Sequence, residues 1–199
     1  GTPLQKRAQA GAGGGWPGKN NVSASAWFDG VADYQNRTMG TPNDQSKWVC
    51  AFWVRRHKLG AAQYIFAGGT SASSLTWYIG FDSSDRFTST DGPGTTGLLT
   101  TRKFRDSEWT HFLFSYDSDD ATAGDRCRLF INGVEETAFD TDGAPTSGEV
   151  HNINSATTHT VGAYLNGPGG FSNCSLAQLL FLDGESVQNG DHAITAFGE

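Results

Sequence analysis

An all-β, two-sheet antiparallel sandwich is the fold class that this sequence predicts, and three observations carry it. Glycine supplies 26 of the 199 residues while hydrophobic residues make up 37%, below the roughly 45–50% of an average globular domain; the difference is filled by turn-forming residues. The apolar residues fall in short runs of aromatic and β-branched type between clusters of Gly, Ser, Asn and Asp, and no segment sustains a 3.6-residue period. The string Arg128-Leu129-Phe130-Ile131-Asn132-Gly133-Val134 places Asn-Gly between β-formers, which calls for a two-residue type I′ hairpin. Aromatic residues at 12% supply material for a core, which argues against a disordered chain.

Taken in order, residues 48–54 are apolar on both faces, as an inner strand must be. Residues 63–67 form the next strand, closed by Gly68-Gly69, and residues 75–81 a third. In residues 109–116, Phe112, Phe114 and Tyr116 share one face, with Trp109, His111 and Leu113 on the other. Trp48 and Trp109 are expected as wedges between the sheets, each burying about 150–250 Å². The hairpin of residues 128–134 follows, then strands at 159–165 and 176–182, and a single helical turn at 191–197. Cys50, Cys127 and Cys174 all fall in strand runs, where packed thiols are the expectation; the odd count leaves an intermolecular disulfide open.

The charge is divided unevenly. The net charge is −7 and the isoelectric point about 5.1, which argues against nucleic-acid binding. No apolar run is long enough for a transmembrane helix, so no membrane insertion is expected. Residues 1–28 carry three basic side chains, Lys6, Arg7 and Lys19, and no acidic one. Residues 8–15 are almost wholly Ala and Gly, too little side chain to order themselves. The reading is a flexible basic arm at 1–20 and one domain at 21–199. The arm is either an inert tail or a docking segment that orders on a partner through Lys6, Arg7, Trp16 and Lys19. It has no apolar stretch of the kind a secretory signal carries.

Several strings go further than fold class. Residues 48–56 (WVCAFWVRR), Trp109-Thr110-His111 with Tyr116-Asp117, and Arg128 to Gly133 resemble successive strands of concanavalin A-like, laminin G-like jelly rolls. Residues 175–184 (SLAQLLFLDG), with Phe197-Gly198-Glu199 after them, resemble the close of a subgroup met mainly in bacteriophage virion proteins. Residues 55–60 and 121–126 are similar to the same subgroup. The resemblance covers residues 22–199 and implies a two-sheet jelly-roll sandwich. It implies a non-enzymatic virion structural protein, first a capsid decoration protein anchored by its arm and displaying a lectin-like domain. The alternative is a carbohydrate-binding adhesin module of a tail or fibre. The implied place is the virion surface, after assembly in the bacterial cytoplasm. The implied partners are other capsid or tail proteins, further copies of the chain and host-surface polysaccharide.

Glucan-cleaving relatives of the fold resemble one another in an E-x-D-x-x-E strand, and this chain has none. Retaining hydrolysis needs two carboxyls about 5–5.5 Å apart, whereas adjacent Glu135 and Glu136 point to opposite faces and Glu108 and Glu185 stand alone. No G-x-S-x-G elbow occurs, and His57, His111, His151, His159 and His192 lack a partner signature. The chain is therefore expected not to be an enzyme. Glycan binding needs aromatic faces beside polar groups, and Trp77, Tyr78, Tyr164 and Phe171 with Asn166 and Asn173 are the candidates. For a metal, Asp117, Asp119, Asp120 and Asp125 form the densest oxygen cluster and are the candidate Ca²⁺ set, with Asp82 and Asp85 a looser second. Ala121 breaks the spacing of an EF-hand loop, and both sets also read as short acids bonding their own turns. No other cofactor is implied.

Overall fold

The computed structural model describes residues 24–69, 76–92, 94, 96–164 and 170–187. The arm at 1–20 with Lys6, Arg7, Trp16 and Lys19, Asn166, and the helical turn at 191–197 with His192 lie outside the described residues. Thirteen strands follow one another: β1 (Ala26–Asp29), β2 (Gln35–Thr38), β3 (Lys47–Arg56), β4 (Gln63–Gly68), β5 (Trp77–Phe81), β6 (Arg86–Asp91), β7 (Gly97–Lys103), β8 (Thr110–Asp117), β9 (Cys127–Ile131), β10 (Val134–Glu136), β11 (Phe139–Gly143), β12 (Thr158–Val161) and β13 (Asn173–Asp183). Helix among the described residues is limited to two 3₁₀ turns, Ala123–Asp125 and Asn152–Asn154.

The strands form two sheets. One has six, in the order β1-β13-β3-β8-β9-β10, and the other seven, in the order β11-β7-β6-β5-β4-β12-β2. Every pairing is antiparallel. The chain crosses between sheets at both rims, from β1 to β2 and from β10 to β11, and each of these four strands is an edge. Edge strand β2 reads Gln-Asn-Arg-Thr and is exposed throughout, a polar sequence that discourages pairing with another chain. The expected hairpin joins β9 to β10, with Asn132 at φ 51° and Gly133 at φ 79°, the two left-handed residues that a type I′ turn requires.

Alternation fills the space between the sheets. On β3, Trp48, Cys50, Phe52 and Val54 face inward, and on β8 Phe112, Phe114 and Tyr116 meet them. From the other sheet come Ile65, Trp77, Ile79, Phe81, Phe87 and Leu98. Trp48 stacks on Tyr116 at 5.2 Å between ring centroids and meets Trp77 edge-on at 6.1 Å. The inner-strand reading of residues 48–54 holds on the far side too: Val49 and Ala51 pack with Leu113 and Phe130 beneath Leu182 and Val187. The backbone of Val187 fastens this cover, its N–H donating to Ser115 Oγ and its carbonyl accepting from Arg128. Trp109 departs from expectation: it precedes β8 and is only half-buried, so Trp77, not Trp109, is the second wedge. The three cysteines are buried and free, and burial raises all three thiols well above their ordinary range.

Candidate functional site

The outer face of the seven-stranded sheet is where register gathers an unusual set of side chains. Because Trp77, Ile79 and Phe81 point into the core, Tyr78 and Gly80 of β5 point outward. Cross-strand pairing then dictates two rows. Tyr64 of β4 pairs with Gly80, Gly80 with Thr88 of β6, Thr88 with Leu99 of β7, and Leu99 with Thr141 of β11. Beside it runs a second row from Tyr78 to Thr90 to Gly97. Gly80 and Gly97 let neighbouring backbones close in, since a Cβ at either would fall on the backbone of Gln63 or Ser89, and the face is hollow between the tyrosines and the threonines. A pocket of about 350 Å³ results, lined by Tyr64, Tyr78, Thr88, Thr90, Leu99 and Thr141 among others. That lies at the lower end of small-ligand clefts, about 300–1,000 Å³.

One end of the pocket is aromatic. Tyr64 and Tyr78 meet edge-on at 5.0 Å, and Tyr164, from the loop after β12, packs on them at 4.7 and 5.5 Å. All three are half-buried. Gly170 backs the cluster: it sits at φ 64°, and a Cβ there would collide with the Tyr64 ring. Burial raises all three phenols above their ordinary value; Tyr78, which also faces the other two phenols, is pushed up to about 12. At neutral pH each hydroxyl therefore keeps its proton and can both donate and accept.

The other end holds the one carboxylate among the described lining residues, Asp82. Its Oδ1 accepts the N–H groups of Ser84 and Arg86 at 2.9 and 2.8 Å, and its Oδ2 accepts Arg86 Nε and Nη2 at 2.8 and 2.6 Å. A carboxylate offers about four lone-pair positions, so Asp82 has none left to act as a base or nucleophile. Arg86 is equally committed, since its Nη1 donates to Asp140 at 2.6 Å.

The expected glycan residues separate. Tyr78 and Tyr164 come together, joined by Tyr64. Trp77 is corrected: it is 0% exposed, on the inner face, with its indole N–H donating to Ser89 Oγ at 2.8 Å, and cannot be a platform. Phe171 lies against Tyr34 at 6.2 Å and not in the cluster. Asn173 is drawn off to the backbone, its amide donating to the Asp29 carbonyl at 2.9 Å. Asn166 is outside the described residues.

The Ca²⁺ set does not assemble either. Asp117 is buried beside Lys47, accepts from Ser186 and holds the Asp119 N–H. Asp119 accepts from Ser46 Oγ, Asp120 takes the Thr122 N–H, and Asp125 lies in a 3₁₀ turn. Of the looser set, Asp85 is enclosed by Arg56 and Arg105. Among the described residues, no group of three or more His, Cys, Asp or Glu side chains is placed to share a metal ion. The reason is physical: short acids next to a turn satisfy its N–H groups first. Missed by sequence reasoning were Tyr64 and the threonines. Tyr64 lies in a correctly expected strand, but its outward direction depends on a register shift between β4 and β5 after Tyr64.

Comparison with known proteins agrees with this architecture. The profile of the concanavalin A-like lectin/glucanase superfamily matches residues 29–168, well over half of the chain. No curated protein sequence matches it. Among solved structures, a heptameric pentraxin of Limulus polyphemus is similar, with a TM-score of 0.56 and 17% identity over 81% of this chain and 76% of that one. Domain 4 of an extracellular arabinanase from Geobacillus stearothermophilus, solved with arabinotriose, gives a TM-score of 0.58 and 17% identity over 84% and 74%. Domains LG4-5 of the mouse laminin alpha1 chain give 0.58 and 9% over 91% and 47%, so this chain spans about half of that pair. At these identities the likeness is one of fold. The two-sheet sandwich, its register and the profile match agree, and the chain belongs to the concanavalin A-like lectin/glucanase superfamily.

Proposed function

We propose that this chain is a non-enzymatic saccharide-binding module, holding its ligand on the outer face of the seven-stranded sheet. The observation that carries this reading is the Tyr64–Tyr78–Tyr164 cluster at the end of a threonine-lined hollow. Sugar rings present apolar C–H faces and outward hydroxyls; phenol rings meet the first, phenol and threonine hydroxyls the second. From β4 to β11 the row crosses five strands, or about 19 Å at the usual strand spacing, a length that suits an oligosaccharide better than a single sugar. The arabinanase domain with its arabinotriose is one instance of such a ligand on this architecture. The non-enzymatic part rests on Asp82, the one described carboxylate at the pocket, being fully occupied.

The setting we propose is a bacteriophage virion surface, with residues 1–28 as the anchor and the sandwich displayed as a decoration. Its support is the closing string of residues 175–184 and the basic arm. Calorimetric titration with arabino-, gluco- and galacto-oligosaccharides tests the binding reading. Saturable binding to at least one, weakened roughly tenfold or more by Tyr78→Ala, is the expected outcome; no binding to any neutral or anionic glycan would refute it. Co-sedimentation with shells stripped of accessory proteins, for the intact chain and one lacking residues 1–20, tests the setting. Arm-dependent pelleting supports decoration, and its absence removes it.

A further inference from the structure

We infer that the pocket selects neutral saccharides and rejects anionic ones, such as uronate- or sialate-containing glycans. The inference rests on the saccharide-binding reading and deepens it by naming the ligand class. Three observations carry it.

The first is the sign of the fixed charge. Among the described lining residues the one ionised side chain is Asp82, and no lysine or arginine contributes to the wall. The second is the state of the nearest cation. Arg86 could in principle turn to a ligand carboxylate, but all three of its nitrogens are engaged: Nε and Nη2 on Asp82, Nη1 on Asp140. Asp140 is itself held by the Thr101 hydroxyl at 2.8 Å, so the clamp between β6 and β11 is fixed at both ends. Lys103, the cross-strand partner of Arg86, also acts on Asp140, so this end holds two cations and two carboxylates, and neither cation lines the wall where an anionic ligand would need a partner.

The third is the nature of the remaining polar groups. They are hydroxyls: the Tyr64 and Tyr78 phenols, which keep their protons at neutral pH and on which Tyr164 packs, and Ser83, Thr88, Thr90 and Thr141. Hydroxyls match sugar hydroxyls as mixed donors and acceptors, while a carboxylate entering the same hollow would lose water without gaining a cationic partner. The ring faces and the Leu99 side chain prefer the uncharged ligand for the same reason. The chain as a whole adds to the effect through its net charge of −7.

The test is calorimetry of the full chain with two sets of probes: neutral arabinotriose, cellotriose, maltotriose and galactotriose, and anionic trigalacturonate and 3′-sialyllactose. The expected result is binding of a neutral trisaccharide, with the anionic probes roughly tenfold or more weaker. Leu99→Arg, which places an uncommitted cation beside Thr88 and Thr141, should narrow or reverse that preference while circular dichroism shows the fold retained. Comparable binding of both probe sets by the unaltered chain would overturn selectivity and leave the saccharide-binding reading standing. Binding of the anionic probes alone would overturn it as well. An unchanged preference in Leu99→Arg would show that pocket charge is not its source, which also overturns the inference. If no probe binds, the binding reading itself fails and selectivity falls with it.

Discussion

Asp85 and Arg56 face each other at 3.0 Å with both side chains only 3% exposed. Asp85 also accepts the Gly60 N–H and Arg105 Nε, while Arg56 donates to the Phe104 carbonyl and lies over the Phe81 ring at 4.4 Å. Removing one member strands the other charge in the core, which typically costs about 3–5 kcal/mol. Asp85→Asn is the informative change: Asn tolerates the left-handed backbone at this position (φ 70°), so the loss reports the charge and not the turn. We expect a urea-unfolding stability lower by roughly 3 kcal/mol or more, and a change below 1 kcal/mol would show the pair to be dispensable. At the site, Gly170→Ala should displace Tyr64 and weaken oligosaccharide binding roughly as much as Tyr78→Ala does, again about tenfold or more; unaltered affinity would mean the cluster can move without consequence. At this scale the sequence was only half legible. Tyr78 and Trp77 are neighbours in one strand, so one had to face out and the other in. Which did so is settled by Ser89, whose buried hydroxyl receives the Trp77 indole across the β5–β6 pairing.

Elements were read more surely where the pattern is apolar. β3, β4, β8, β9 and β13 lie within a few residues of their expected positions because each carries a short run of apolar residues. β6 and β7 are not legible in the sequence, because Arg-Phe-Thr-Ser-Thr-Asp and Gly-Leu-Leu-Thr-Thr-Arg-Lys place hydroxyls where a core strand carries apolar residues. In both, an inward hydroxyl has a defined partner, Ser89 with Trp77 and Thr100 with the Phe87 N–H, so a polar position still faces the core. β13 carries a bulge invisible to local patterning. Gln178, at φ 50°, and Leu179 together oppose Phe52, and the extra residue resets the alternation so that Phe181 packs on Trp48 and Leu182 covers the other face. The β9–β10 hairpin yields the clearest prediction. Asn132 combines a left-handed backbone with a side-chain oxygen that accepts the His111 N–H at 2.9 Å. Asn132→Ala loses both and should lower stability by about 1–2 kcal/mol, read from the thermal midpoint, whereas an unmoved midpoint would mean the turn carries no strain.

For the whole molecule, titration points one way. Burial holds the imidazoles of His57, His111, His151 and His159 below their ordinary value, with Arg55 adding to the effect at His57. Groups that bind protons less readily when folded stabilise the fold at neutral pH, and that contribution is lost as pH falls through about 6.5. Asp29 is held below the usual carboxylate range by the N–H groups of Val31 and Ala32. At Asp85 and Asp183 hydrogen-bond donors outweigh the upward push of burial, so a second loss begins below about pH 4. The urea midpoint should therefore fall between about pH 7.5 and pH 5.5 and fall further in acid; a flat or rising profile would contradict this accounting of the buried histidines.

The placement of β13 governs when the fold can exist at all. It lies between β1 and β3, so that Ala26 pairs with Leu176 and Trp48 with Asp183. The last described strand to leave a ribosome is thus the partner that the first one awaits. Until then β1 has nothing to pair with and β3 presents a bare apolar edge, the kind of segment that recruits other chains. Closing so long a loop is slow, and the six-stranded sheet is complete only once β13 has joined β1 and β3. A chain stopped before Asn173 should remain open to trypsin, and a synthetic strand of residues 173–187 added in trans should close it.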